Sequence, residues 1–168
     1  MITFKKIRYK NFLSTGNIPI EVELDKSHTT LIVGSNGSGK STLLDALCYA
    51  LFNKPFRIIK KDQMVNTINN GDSLVEVEFE VGTNQYMIRR GIKPNLFEIY
   101  QNDKLINQDA SNIDYQKYLE QNIMKLNYRS FIQVVILGSS SYEPFMKMKP
   151  RYRREVVEEI LDIRVFGL

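Results

Sequence analysis

The sequence has one cysteine and one histidine in 168 residues, and each scarcity excludes a class of chemistry. With Cys48 alone, between Leu47 and Tyr49 in an apolar run, no disulfide framework is available, and a reducing, cytoplasmic setting fits. No basic neighbour activates that thiol for catalysis. His28, in the polar turn "DKSHTT", has no second histidine or cysteine cluster with which to share a metal, so it reads as plain surface. Long apolar runs are also missing. None approaches the roughly 20 residues that span a bilayer, and "MITFKKIRYKNF" alternates charge with apolar residues where a signal peptide would carry an unbroken core. No membrane partner is expected. Repeats, low-complexity runs and linkers are absent, and at 43% hydrophobic residues the chain suits one domain with one core. Charge of one sign is only mildly in excess, at 23 basic to 19 acidic residues, a weak lean towards an anionic partner.

What is present begins with a two-residue period. Ile2, Phe4, Ile7 and Tyr9 predict one strand; Ile18, Ile20, Val22 and Leu24, against outward Glu21 and Glu23, predict a second. Leu31 to Val33 is apolar without alternation, as a strand buried on both faces would be. A helix from about Gly39 to Phe52 is apolar nearly all round and therefore enclosed. From Ser73, "LVEVEFEV", the turn "GTN", "QYMIRR" and "NLFEIYQNDKLI" predict an antiparallel meander. Ser111 is placed to cap a helix to about Leu126 with Tyr115, Leu119, Ile123 and Leu126 as its stripe. "FIQVVIL" reads as a further buried strand. Pro150 opens a last helix, with Val156, Val157, Ile160 and Leu161 as its stripe.

Between the predicted strand at 31–33 and the enclosed helix, "GSNGSGKS" satisfies G-x-x-x-x-G-K-[ST] in the context that motif requires. Gly34, Gly37 and Gly39 permit the tight or left-handed backbone that turns successive amides onto one anion, and the helix N-terminus adds partial positive charge. Lys40 is expected to neutralise the β- and γ-phosphates of ATP, and Ser41 to hold Mg²⁺ through its hydroxyl. The competing view is a glycine-rich turn that binds nothing; spacing and context argue against it.

One further lack frames the function. Hydrolysis needs a carboxylate at the end of a hydrophobic strand to hold Mg²⁺, and a group to position water. After the loop no apolar strand runs into Asp-Glu: "FIQVVILG" ends in glycine and serines, and "LVEVEFEV" sets its glutamates on an outer face. The chain is expected to bind ATP and to take the missing groups from elsewhere.

"NGSGKSTLLDAL", preceded by "IRYKNFLSTG" and followed by "KPFRIIKKDQMVN", "RRGIKPNLFEI" and "VVILGSSSYEPFMKMKPRYRREVVEEILDI", resembles the N-terminal half of SMC-like ABC ATPases. The likeness is greatest to the ATPase subunit of the SbcC-type recombination and repair nuclease carried by tailed phages. It implies an α/β P-loop NTPase fold of ABC/SMC-head type, with residues 1–168 as an N-terminal lobe holding a mixed sheet around the loop helix and an antiparallel meander. By position, Gly34, Ser35, Asn36, Gly37, Ser38, Gly39, Lys40, Ser41 and Thr42 match the nucleotide cradle. Lys40 is then the catalytic residue, Ser41 the Mg²⁺ ligand and Asn36 a neighbour of the γ-phosphate; Asn66 and Thr67 match a second nucleotide-contacting stretch. A C-terminal half, reached through a coiled coil, would supply the signature sequence and the Asp-Glu strand, so that a chain ending at Leu168 is the first half alone. Two heads would close as a homodimer on two ATP molecules and control DNA access to a metal-dependent nuclease subunit. The family's glutamine after the strand "VVIL" falls on Ser139: either Ser139 acts through water, or Gln133, earlier in the strand, substitutes, or the γ-phosphate sensor is weakened.

Four basic clusters are candidates for DNA phosphates: Lys5, Lys6, Arg8 and Lys10; Arg57, Lys60 and Lys61; Arg89, Arg90 and Lys93; and Lys147, Lys149, Arg151, Arg153 and Arg154. The plain alternative for each is a solvated face; the hairpin cluster at 89–93 is favoured because strand-borne arginines lie flat. Two rival functions stand beside the repair ATPase. One is a transporter-type ABC nucleotide subunit, with Tyr9 or Phe12 as its aromatic before the loop. The other is a non-hydrolysing, ATP-dependent DNA-binding module.

Overall fold

The computed structural model describes residues 2–106, 112–136 and 144–161. Six strands form one sheet: β1 (Ile2–Lys10), β2 (Ile20–Glu23), β3 (Ser73–Val81), β4 (Asn84–Ile92), β5 (Leu96–Gln101) and β6 (Lys104–Leu105), in the order β2-β1-β3-β4-β5-β6. Every pairing is antiparallel. The meander is where alternation placed it, because a period of two commits one face to the core. Ile7, Tyr9, Val75, Val77, Phe79, Ile88 and Ile99 are buried on that face.

Helix α1 (Lys40–Phe52) lies against β1, β3 and β4 and is buried from Ala46 to Phe52. Helix α2 (Asn112–Tyr118) runs into a π-helical turn (Leu119–Met124), whose Leu119, Ile123 and Met124 close over α1. Rings join the layers: Phe12 stacks on Tyr49 at 5.5 Å, and Phe52 meets Phe131 at 5.0 Å. Helix α3 spans Tyr128–Val134 and α4 spans Pro150–Ile160. None of these helices is long and apolar enough to cross a membrane, among the described residues.

Several expectations are corrected. "FIQVVIL" is not a strand where it is described: Tyr128–Val134 is helical, because Asn127 accepts the amide of Ser130 at 2.9 Å as an N-cap, and because Phe131 gains Phe4 and Phe52 as neighbours by turning inward. Tyr128, Phe131 and Ile132 sit at helical spacing as well as in an apolar run. Leu31–Val33 is neither a strand nor buried; its residues are 83%, 46% and 77% exposed. No strand lies beside it among the described residues, so its backbone has no ladder to join, and the expected mixed sheet is antiparallel throughout. Ile18 and Ile20 are exposed too, as are Val157 and Leu161 of the α4 stripe, whereas Val156 is buried. Ser111 and Ser139 lie outside the described residues.

Candidate nucleotide site

The loop between residue 33 and α1 owes its shape to two backbone positions. Gly37 has φ 85° and Gly39 has φ 94°, values that a side chain disfavours. At Gly34 a Cβ would lie 2.5 Å from the Ser38 hydroxyl, which would have to rotate away. Between Ser35 and Gly39, the Ser38 amide alone donates to a protein carbonyl, that of Ser35 at 3.2 Å. Of the first amides of α1, which helix geometry leaves without the usual i−4 acceptor, that of Thr42 donates to the Gly39 carbonyl at 2.9 Å. Lys40 reaches back into this ring of donors, its ammonium bonding the carbonyls of Gly34 and Ser35 at 2.7 Å each.

A cleft of about 520 Å³ opens over the loop, within the roughly 300–1,000 Å³ usual for ligand sites. Asn36, Gly37, Gly39, Lys40, Ser41 and Thr42 line it from below. Leu13 and Ser14 form one wall, held by a closely bonded turn. The Thr15 hydroxyl receives the Phe12 amide and donates to the Phe12 carbonyl, while the Leu13 amide bonds Met64 at 2.6 Å. Arg57, Ile59 and Gln63 form the other wall.

That second wall is fixed by a residue that sequence reasoning passed over. Asp45, fully buried on α1, accepts the Arg57 amide at 2.9 Å and the Arg57 Nε at 2.7 Å. A lone carboxylate inside "LLDALCYALF" is the signal, since a buried charge requires a partner. Asn66 also acts indirectly. Its side-chain oxygen accepts the amides of Ile68 and Asn69, and its amide group reaches the Leu13 carbonyl; neither Asn66 nor Thr67 lines the cleft. Tyr9 and Phe12 are buried in the core and present no ring to a base. Gln133 is on α3, away from the cleft-lining residues.

The far end of α1 is closed by protein groups. Arg90, 5% exposed, donates Nε to the Ala50 carbonyl at 2.9 Å and Nη2 to Gln116 at 2.6 Å. Gln116 in turn donates to the Leu51 carbonyl at 2.9 Å. The guanidinium lies 3.7 Å from the centre of the Phe97 ring. Burial lowers its pKa to about 10, and burial raises that of Tyr49 to about 12. Burial also pushes the Cys48 thiol well up, which rules it out as a nucleophile.

These contacts correct the favoured basic cluster. Arg90 is internal, and Arg89 is held by Glu76 at 2.7 Å and Glu98 at 2.9 Å. The sheet register sets Glu21, Arg8, Glu76, Arg89 and Glu98 side by side across five strands, an alternation of sign that neutralises the outer face. Lys5, Lys6 and Lys10 are paired there with Asp25 and Glu80, Glu21, and Asp72. In the fourth cluster Arg154 pairs with Glu158, while Lys147, Lys149 and Arg151 are exposed.

A left-handed glycine loop feeding a buried helix, open onto a polar cleft, defines the class: a P-loop nucleotide-binding lobe. The family follows from comparison. A family model described as an AAA domain matches residues 6–164, and the chain belongs to that family. Exonuclease subunit 2 of Enterobacteria phage T4 is 44% identical over 158 residues, 94% of this chain and 28% of that protein. Exonuclease subunit 2 of Escherichia phage RB69 is 44% identical over 165 residues, 97% of this chain and 29% of that protein. The DNA double-strand break repair Rad50 ATPase of Thermoplasma volcanium is 29% identical over 167 residues, 95% and 18% of the two chains. The chain thus spans less than a third of the length of these relatives. In fold it resembles the Smc head domain of Pyrococcus furiosus, solved bound to the C-terminal domain of ScpA (TM-score 0.66, 20% identity, 95% of this chain and 42% of that one). A second SMC ATPase structure gives a TM-score of 0.63 at 21% identity, covering 94% of this chain and 99% of that one.

Proposed function

We propose that the chain is the ATP-gripping N-terminal lobe of an ATPase head that works in DNA repair and recombination. The observation that carries this reading is the loop itself. Two left-handed glycines turn it at the open end of a buried helix, only the Ser38 amide between Ser35 and Gly39 donates to a protein carbonyl, and Lys40 reaches back over the loop. In this reading residues 34–42 receive the β- and γ-phosphates, and Lys40 balances their charge and the charge that develops in transfer. The Ser41 hydroxyl, exposed at the first turn of α1, suits Mg²⁺, a hard cation that takes oxygen ligands and would neutralise phosphate charge there.

The carboxylates of hydrolysis come from a second lobe. Among the described residues no group of three or more His, Cys, Asp and Glu is placed to hold a metal, and Asp45 is engaged by Arg57. Exposed Leu31–Val33, an apolar run without a ladder, is the seat for strands of that lobe. Two such heads close on ATP and gate DNA towards a metal-dependent nuclease subunit, in the cytoplasm of the host. Burial of Tyr9 and Phe12 removes the feature that favoured a transporter subunit. The test is complementation: mixing this chain with the C-terminal part of a 44%-identical phage relative should yield Mg²⁺-dependent phosphate release that neither part gives alone. Full turnover by this chain unassisted contradicts the division of labour.

A further inference from the structure

Asparagine is followed by glycine twice in the chain, at Asn36-Gly37 in the loop before α1 and at Asn70-Gly71 in the turn before β3. The pairing has its own chemistry: with no Cβ on the glycine to crowd the approach, its backbone nitrogen can attack the side-chain carbon of the asparagine. We propose that Asn36 is a deamidation site, and that its conversion to aspartate or isoaspartate disables the phosphate cradle. The loss of the cradle rests on the ATP-gripping reading above, whereas the conversion itself does not.

The Gly37 nitrogen bonds to Asn36 Cγ and gives up its proton, the side-chain nitrogen leaves as ammonia, and a five-membered succinimide closes. Water then opens the ring at either carbonyl. One carboxamide and one water thus become one carboxylate and one ammonium ion, with no oxidant or cofactor. Two groups must be free for the first bond to form: the carboxamide and the amide that attacks it. The Ser38 amide closes a four-residue turn on the Ser35 carbonyl at 3.2 Å, with Gly37 at φ 85°; this is the pattern of a type II turn, whose hydrogen bond engages neither central residue. Asn36 and Gly37 are exposed, and among the described residues neither the Asn36 side chain nor the Gly37 amide has a hydrogen-bond partner. A Cβ built on Gly37 would meet nothing within 4 Å, so the ring has room to close.

The second pair is the internal control. Asn70 accepts from the Lys93 ammonium at 2.9 Å and donates its amide to the Asn66 carbonyl at 2.8 Å, and the Asp72 amide beyond the pair donates to the Lys93 carbonyl at 2.7 Å. Carboxamide and backbone are held on both sides. What conversion does follows from where Asn36 stands. It lines the same cleft as Lys40, so a carboxylate there repels phosphate and competes with it for the ammonium. Isoaspartate in addition lengthens the loop backbone by one carbon and shifts Gly37 in its turn. A nucleotide whose phosphates take the Gly37 amide withdraws the attacking group, so MgATP protects Asn36 and leaves Asn70 unaffected.

The experiment ages the folded protein in mildly alkaline buffer, with and without MgATP, and follows both asparagines by peptide mass spectrometry and by methylation with an isoaspartate methyltransferase. Without nucleotide Asn36 should convert about tenfold faster than Asn70, the factor set by first breaking one hydrogen bond to a charged group. In the urea-unfolded chain the two rates should converge, and Asn36→Gln should remove the mass gain at that position. Calorimetric titration of MgATP should find binding capacity falling in step with the unconverted fraction, and Asn36→Asp should bind about 100-fold more weakly than the wild type. Native Asn36 converting no faster than Asn70, or converted protein that binds nucleotide as fresh protein does, would overturn the proposal. The ATP reading fails separately: fresh protein that binds no nucleotide, with Asn36 still converting ahead of Asn70 and MgATP giving no protection, removes that reading and leaves the deamidation site standing.

Discussion

The two ends of α1 are built to opposite specifications. At the N-terminus the residues are small and the backbone is left-handed at Gly37 and Gly39; among its amides Ser38 donates to the Ser35 carbonyl and Thr42 to that of Gly39, and no side chain caps the helix. At the C-terminus Arg90 and Gln116 bond the Ala50 and Leu51 carbonyls, Asn53 adopts a left-handed cap, and Phe97 covers the guanidinium. Both ends carry partial charge from the same helix. The protein satisfies one with its own cation and leaves the other for a ligand. Stability and binding should therefore separate along a single helix, and mutations at its two ends should have different readouts.

The largest effect is expected at the closed end. Arg90→Met keeps bulk but strands the Ala50 carbonyl and Gln116, and should cost about 3 kcal/mol in denaturant unfolding, the upper end for hydrogen bonds to a charged group. Cys48, buried in the native protein, should label with thiol reagents faster in that variant than in the wild type. At the open end, Gly39→Val forces a β-branched residue to positive φ. It should cost about 2 kcal/mol of backbone strain and abolish saturable nucleotide binding, so a variant that binds normally would break the contrast. Asp45→Asn retains an acceptor for the Arg57 amide but loses the charge facing the guanidinium. About 1.5 kcal/mol of destabilisation, with weaker nucleotide binding through the loosened wall, is expected from calorimetry and titration. Ile32→Asp should be nearly silent in this chain, within about 0.5 kcal/mol, because the side chain is solvated; a loss of several kcal/mol would show that residues 31–33 are buried after all.

Sequence alone revealed what local chemistry decides. The meander was legible because "LVEVEFEV" alternates over a full strand, and the loop because its glycines and lysine have obligatory spacing. Where neighbours decide, the reading failed. Phe131, Ile132, Val135 and Ile136 suit a strand or a helix, and the choice fell to the Asn127 cap and the Phe4 and Phe52 rings. Leu31–Val33 has the composition of a central strand, but a strand needs a ladder. Arg89 and Arg90 looked like one exposed pair; the two-residue period sends them to opposite faces, one into an ion-paired row and the other onto the end of α1. Asp45 and Arg57, twelve residues apart, carried no pattern beyond an isolated charge in an apolar helix.

The most direct test of the open helix end is calorimetric titration of MgATP into the wild type and Lys40→Ala. The account predicts saturable one-to-one binding that falls by roughly 100-fold in the variant, about 3 kcal/mol, with an unchanged melting temperature. Equal binding by both proteins would contradict it.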